Sequence, residues 1–573
     1  MMTADTFKRA VLRFIPFAPA ILLAILIPQY WVDVPQYDEW DSVTLFEHLS
    51  QGSLTAGLLF KQVNEYRQFF PNLIFVYLGK LTHWDLRYEM ILIFVAACLI
   101  AVQVRWLAAR TIQATETLFA ILILAANSVI FSLTQYENWF QAQQLVYYMP
   151  ILCVTTCIVV ANLRTGTVAK FIVCAALSFV SMFSSANGVV CWAVVLPLLV
   201  FMQWPKNRRA VVWLSAAWIA AAFLCVMLYL HDFHKPWWTP SPWSGLYHPW
   251  RAFVYFVGFV GGPLGLERAR LSIAAGAFMM IGFVAAISYL LRHRDDRALI
   301  ERAIGWLVIA AYSLATAMLT TVGRVGLANG PWQVPRYLGF SVYLLVALIF
   351  LGHIIGEHVR RRTRRFQLLR TNALTFATIL ILGLYQPSML ALSYRQMDAW
   401  QTRLLQAKAD ILWINQLPDT RLTKILYPNV QFLTEKANAL DGLGMLRPRL
   451  VKTNDVKLLA DDPPGALGTI ADVRRLGDEY LASGTCEFSE QGPDAIILAY
   501  QIGAGDPIAF ALTHPVHQPA SILRGKAKTG GWQVRFTPAQ LPASPATITA
   551  WGFDATNGRV FRLSGEAQID ATH

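Results

Sequence analysis

Eleven apolar runs, most of them close to the length that crosses the roughly 30 Å hydrocarbon layer of a bilayer, dominate the first 390 residues. They fall near 14–32, 87–104, 115–131, 144–162, 168–184, 189–203, 210–230, 271–291, 303–322, 338–356 and 371–388. Lipid offers the backbone no hydrogen-bond partner, so runs of this kind must be helices that satisfy themselves. The chain is therefore read as an α-helical polytopic membrane protein. Its composition agrees: 14% of residues are charged, against about 25% in soluble domains. Disorder, collagen and a disulfide scaffold are excluded. Six of the 7 cysteines lie in the apolar runs and only Cys486 lies in a polar region, and one thiol cannot staple a domain to itself.

The charge pattern orients the helices. Residues 391–573 carry 18 Lys and Arg against 18 Asp and Glu, so the whole net charge of +13 belongs to the membrane part. Within that part, 20 of the 30 basic residues fall in alternate loops, from Lys8, Arg9 and Arg13 to the cluster Arg360, Arg361, Arg362, Arg364, Arg365 and Arg370. Cytoplasmic loops are the basic ones. The pattern predicts a cytoplasmic N-terminus, an uncleaved first helix and a C-terminal domain across the membrane. The basic character is thus a topology signal, and no nucleic-acid partner is expected.

The run Phe69–His83 is too short and too interrupted to span. It is read as a helix in the outer interface, preceded by a first one at Asp41–Phe60 whose Leu45, Phe46, Leu49, Leu58 and Leu59 form an apolar stripe. The first external loop then runs from about 33 to 87, and 249–262 is a second candidate of this kind. The expected domains are a membrane domain over 1–390, a helical connecting region over 391–480 and a β-sandwich-like domain over 481–573. The last rests on alternating runs (AIILAYQI, IAFALTH, GWQVRFT, ATITAWGFD, GRVFRLSG) separated by turn residues.

Candidate functional residues concentrate in the external loops. Tyr37-Asp38-Glu39-Trp40-Asp41 places three carboxylates where the first helix meets water. On a helix Asp38 and Asp41 share a face, and crowded carboxylates raise one another's proton affinity, which makes a usable general base. The same pair also reads as an N-cap and its capping-box partner. Asn64, Glu65 and Arg67 form a polar cluster between the two interfacial helices. Gln135, Glu137 and Asn138 lie among aromatic residues, a mixture that suits hydroxyl-rich ligands. Arg324 and Arg336, the latter followed by Tyr337, stand in an external loop where arginine is scarce, and guanidinium is a natural clamp for phosphate. His231 and His234 supply too few ligands for a metal and join the substrate-binding candidates.

With these residues in view, the chain resembles the GT-C glycosyltransferase superfamily, which includes the protein O-mannosyltransferases and the aminoarabinose transferases of lipid A. The likeness lies in the architecture of residues 1–390 and in Tyr37-Asp38-Glu39, Asn64-Glu65-Tyr66-Arg67 and Gly323-Arg324-Val325-Gly326 with Arg336-Tyr337. The continuation Trp40-Asp41 departs from the aminoarabinose enzymes, which leaves the donor sugar open. The resemblance implies a bacterial inner-membrane enzyme that transfers a sugar, with inversion, from a polyprenyl-phosphate donor to a glycan, lipid or protein acceptor on the periplasmic face. It implies Asp38 as base and Arg324, Arg336 and Tyr337 at the donor phosphate. Glu39, Asp41, Glu65 and Glu137 would orient the acceptor or hold a divalent cation, and no other cofactor is expected. An O-antigen or exopolysaccharide polymerase is the neighbouring alternative. A transporter, a flippase or a non-catalytic scaffold are the alternatives from other classes.

Overall fold

The structure, a computed structural model, describes residues 12–327, 329–362, 386–417, 423–460, 467–487, 493–516, 529–542 and 545–569. Among them nine helices are long and apolar enough to cross a membrane. Two of the eleven expected spans are not among the nine. The run at 168–184 forms Thr167–Met182, which at 16 residues is shorter than a span. The run at 371–388 lies mostly outside the described residues, as do Lys8, Arg9, Arg364, Arg365 and Arg370.

Several of the helices begin where polar side chains close their orphan amides. Thr115 accepts from Leu118 N, Asn207 from Ala210 N and Asp296 from Leu299 N. The helices Arg297–Arg324 and Leu338–Arg362 bear most directly on the external arginines. They pack along much of their length, with Trp306 stacked on Phe350 at 4.1 Å and Ser313 Oγ donating to Phe340 O at 2.8 Å. The apolar window of Arg208–Leu230, by contrast, is only 11% buried, which leaves most of that helix to lipid. The pair thus forms a firm stem whose ends carry Arg324 and Arg336.

The chain divides into two compact units. One comprises Met1–Gln29, Ala56–Phe75 and Glu89–Ser393; the other comprises Tyr30–Thr55, Val76–Tyr88 and Tyr394–His573. The expected first external loop is therefore shared between them. The second unit owns the helix Glu39–Ser50 for visible reasons. Tyr37 N donates to Leu426 O at 2.6 Å, Lys436 Nζ meets Glu47 Oε2 at 2.7 Å and Leu86 N donates to Asp33 Oδ1 at 3.1 Å. Where one helix was expected over Asp41–Phe60 there are two, Glu39–Ser50 and Ala56–Phe60, and the runs at 69–83 and 249–262 form the helices Phe69–Thr82 and Pro249–Val260. The last exposes Trp250 and Phe253 while burying Tyr255, Val257 and Phe259.

The second unit ends in the expected sandwich, although its strands start at Gly468, ahead of the expected 481. Strands β1 (Gly468–Leu476), β2 (Glu479–Glu487) and β5 (Thr529–Phe536) form one antiparallel sheet in the order β1-β2-β5. Strands β3 (Ala495–Gln501), β4 (Ile508–Thr513), β6 (Ala546–Asp554) and β7 (Arg559–Arg562) form the other in the order β4-β3-β6-β7, with β8 (Ala567–Ile569) also on β6. Ile470, Ala482, Trp532 and Phe536 of the first sheet share a core with Ile496, Leu498, Ile548 and Phe561 of the second. The run Ala495–Ala499 is apolar without alternation because both faces are covered. On the far side, Trp413 meets Phe553 edge-on at 5.9 Å.

Trp532 lies directly over Gly484, its register partner, where a Cβ would come within 2.5 Å of the indole. The indole Nε1 donates to Thr485 O at 3.3 Å. Trp532→Ala is expected to cost the sandwich about 3–5 kcal/mol, read as earlier thermal unfolding and proteolysis of the C-terminal part of the intact protein.

Asp494 precedes β3. Burial pushes its carboxyl up to about 7, with neighbouring Asp554 adding to the effect, although Ala555 N donates to it at 2.8 Å. A carboxyl whose folded value is raised binds its proton more tightly in the fold than in the open chain, so stability falls as pH rises from about 4 to 7. Asp494→Asn should flatten that slope in the melting temperature. An unchanged slope contradicts the assignment.

Candidate functional site

The first unit gathers two arginines and four tyrosines. Arg324 ends one helix of the stem and Arg336 opens the segment that leads into the other. Arg324 forms an ion pair with Glu65 and lies under the Trp238 ring, 4.8 Å from its centroid. Arg336 Nη1 meets Glu137 Oε2 at 3.3 Å. Tyr66 and Tyr255 each lie within electrostatic reach of both arginines, and Tyr337 carries a hydrogen bond with Tyr255. Tyr66 Oη and Tyr147 Oη are 3.1 Å apart.

Local sequence explains how Glu65 arrives there. Val63 and Tyr66 exchange backbone hydrogen bonds of 2.9 and 2.8 Å across a tight turn. Asn64 adopts φ 51° in that turn, a left-handed conformation that asparagine tolerates better than most residues. On the other side, Gly326 fits against Pro240, where a Cβ would meet the ring at 2.5 Å, and Arg251 Nη2 donates to Leu327 O at 2.9 Å.

Electrostatically, each guanidinium is held by one carboxylate. A buried arginine without a counter-charge is strongly destabilising, so Glu65 and Glu137 fix the positions of the cations. Arg324 Nη1 is the atom that faces Glu65 Oε1, and among the described residues the other carboxylate oxygen, Glu65 Oε2, is buried with no hydrogen-bond partner. Burial, reinforced by Tyr147 and Glu65, pushes the Tyr66 hydroxyl well above its ordinary value. It therefore remains a donor at neutral pH. Two arginines with phenolic hydroxyls in electrostatic reach suit a phosphate monoester or diester.

Other residues expected to bind substrate serve the protein's own backbone. Arg67 donates to Tyr229 O at 2.7 Å, to Phe60 O at 3.1 Å and to His231 O, which makes it a brace. Gln135 Nε2 reaches Ile130 O at 3.0 Å and Val129 O at 3.3 Å, closing the end of the helix Glu116–Ile130. Asn138 Nδ2 donates to Arg336 O at 3.2 Å and so fixes the arginine segment. His231 is exposed and pairs with Asp232 at 3.2 Å, while exposed His234 meets Gln62 through its backbone. Among the described residues no group of three or more His, Cys, Asp or Glu could hold a metal ion.

The carboxylate motif belongs to the second unit. Asp38 stands at the N-cap of Glu39–Ser50 but makes no side-chain capping bond, contrary to the capping reading. Instead Glu39, which is buried, accepts from Gln36 N at 2.7 Å through Oε2. Asp38 and Asp41 are half-buried on one face. The phenol of Tyr427 hydrogen-bonds Asp41 and feels the charge of both aspartates. Tyr37, just before them, takes φ 49°. Sequence reasoning did not find Tyr147, Tyr255, Trp238 or Tyr427. Each belongs to a segment distant in the chain, and no local spacing marks it.

No protein-family model matches the chain, and no curated protein matches it. A solved structure similar to it is the crystal structure of ArnT from Cupriavidus metallidurans bound to undecaprenyl phosphate. The alignment covers 75% of this chain and 76% of that one, at 13% identity and a TM-score of 0.35. A likeness so distant sets no correspondence between residues.

Proposed function

We propose that the protein is a membrane glycosyltransferase that takes a sugar from a polyprenyl-phosphate donor and delivers it to an envelope glycan, lipid or protein on the periplasmic face. The observation that carries this reading is the cluster of Arg324 and Arg336, each fixed by a carboxylate and surrounded by Tyr66, Tyr147, Tyr255 and Tyr337, at the ends of apolar helices. Cations are scarce in loops on the external side, and two of them held at the ends of apolar helices suit a negatively charged ligand. A ligand with a lipid tail and a phosphate head satisfies both the apolar helices and the arginines.

In the proposed reaction an acceptor hydroxyl attacks the anomeric carbon while its proton passes to Asp38. The bond from the anomeric carbon to the phosphate oxygen breaks, and the electron pair leaves with the polyprenyl phosphate. One displacement inverts the anomeric centre. A phosphate leaving group needs no general acid, unlike the leaving groups of glycoside hydrolysis. Arg324 and Arg336 stabilise the charge that grows on the departing phosphate, and Glu39 supports the acid motif from its buried position.

The binding test uses purified full-length protein with undecaprenyl phosphate and, as control, undecaprenol. Saturable binding of the phosphate alone is expected, weakened about tenfold or more in the double variant Arg336→Met with Glu137→Gln, which leaves no carboxylate without its partner, since a hydrogen bond to a charged group contributes about 1.5–3 kcal/mol. Equal binding of both lipids contradicts the reading.

A further inference from the structure

The segment that joins the helices Arg208–Leu230 and Ala269–Arg292 has two unlike faces. From Trp237 to Val260 it carries no carboxylate, and Arg251, its one Lys or Arg, is engaged with Leu327 O at 2.9 Å. Two short helices follow one another in it, Ser244–Tyr247 and Pro249–Val260. Leu246 N and Tyr247 N donate to Trp243 O at 2.9 and 3.1 Å, a helical spacing that puts Trp243, Leu246 and Tyr247 on one side. Trp250 and Phe253, again three apart, stack with ring centroids 5.6 Å apart. All five are exposed, as is Trp237 at 94%. The other face packs on the Arg324 end of the stem. A Cβ on Gly245 would lie 3.6 Å from Ala252 and 3.8 Å from Val325, Pro240 lies on Gly326, and Trp238 covers Arg324.

We infer that residues 237–253 are a lipid-docking shelf: the outward aromatic residues lie in the headgroup layer of the bilayer, and the inward face thereby holds Arg324 at the level of the lipid phosphates. A contiguous exposed apolar patch marks an interaction surface, and the borders of this one say what covers it. It continues the lipid-facing helix Arg208–Leu230, whose last turn exposes Met227, Leu228 and Leu230, and it leads into Ala269–Arg292, whose first turn exposes Leu271. Exposed Lys235, Arg268 and Arg270 stand at the same helix ends, where anionic headgroups complement them. Tryptophan and tyrosine, each an apolar ring with one polar group, suit that layer better than the hydrocarbon on one side of it or the water on the other. The occupant is the phospholipid of the membrane itself, so the inference does not depend on the sugar-donor reading.

The test needs no donor. It uses the full-length protein with Cys98→Ser and Cys225→Ser, which removes the two cysteines that are not buried, and with Leu246→Cys carrying an environment-sensitive fluorophore. The protein is placed in nanodiscs of phosphatidylethanolamine and phosphatidylglycerol. The fluorophore should be quenched more by a nitroxide lipid labelled near the headgroup than by one labelled near the end of the acyl chain, and it should be shielded from aqueous iodide. Adding Trp243→Ser and Trp250→Ser, which alter only the outward face, should lower the nitroxide quenching and raise the iodide quenching. Iodide access without nitroxide quenching would put the shelf in water, and shielding from both quenchers would mean that protein, such as a second copy of the chain, covers it. Either result overturns the inference, as does stronger quenching by the chain-end nitroxide or a pattern that the two tryptophan substitutions leave unchanged.

Discussion

Asp38→Asn is expected to bind undecaprenyl phosphate as the wild type does and to transfer sugar at least about a hundredfold more slowly, within the 10²–10⁴ that a positioned base contributes. Asparagine keeps the size and the polar contacts of the side chain, so the helix Glu39–Ser50 should persist. Its buried residues, among them Trp40, Val43 and Phe46, hold it without help from Asp38, which makes no capping bond. Asp41→Asn should be milder, because in the proposed reaction Asp38 and not Asp41 takes the proton. Equal losses in the two variants would mean that the pair acts as a unit and that no single base can be assigned.

The second large effect concerns Arg324. Removing one charge-stabilising donor costs about 10²–10³ in rate, but Arg324→Ala alone would leave Glu65 buried without its partner, at about 3–5 kcal/mol. The informative protein is therefore the double variant Arg324→Met with Glu65→Gln. It should melt near the wild-type temperature and turn over about 10²–10³ more slowly, with weaker binding of undecaprenyl phosphate. A double variant with full turnover would assign the Glu65 and Arg324 pair to holding the turn at Asn64 and the Trp238 segment.

Hydropathy along the chain made the membrane helices legible, because whether a helix can span depends on local length and polarity. The exception is instructive. Thr167–Met182 has the apolar character of a span but only 16 residues, and a boundary read from composition overran it by two residues into Phe183 and Ser184. Arg324 and Arg336 stood out because arginine is scarce in external loops. Gln135 and Asn138 stood out as amides among aromatic residues and Arg67 as part of a polar cluster between two helices, yet they satisfy carbonyls of the chain itself. A polar side chain in an apolar setting looks the same in sequence whether its partner is a ligand or a backbone carbonyl. The tyrosines were silent for the opposite reason. Tyr147, Tyr255 and Tyr427 lie in segments where an aromatic residue is unremarkable, and only the fold brings Tyr147 to Tyr66, Tyr255 to Tyr337 and Tyr427 to Asp41. The sandwich was legible in the runs that form β3 to β7, whereas β1, β2 and β8 lay outside them, and Arg474 and Arg475 mask the pattern of β1.

The most direct test of the account is turnover by the wild-type protein, purified at full length, on undecaprenyl-phosphate monosaccharides in the presence of envelope glycolipid. The account predicts release of undecaprenyl phosphate that depends on the acceptor and yields a product of inverted anomeric configuration, and loss of that release in Asp38→Asn. Retention of configuration, or release that Asp38→Asn leaves intact, would contradict it.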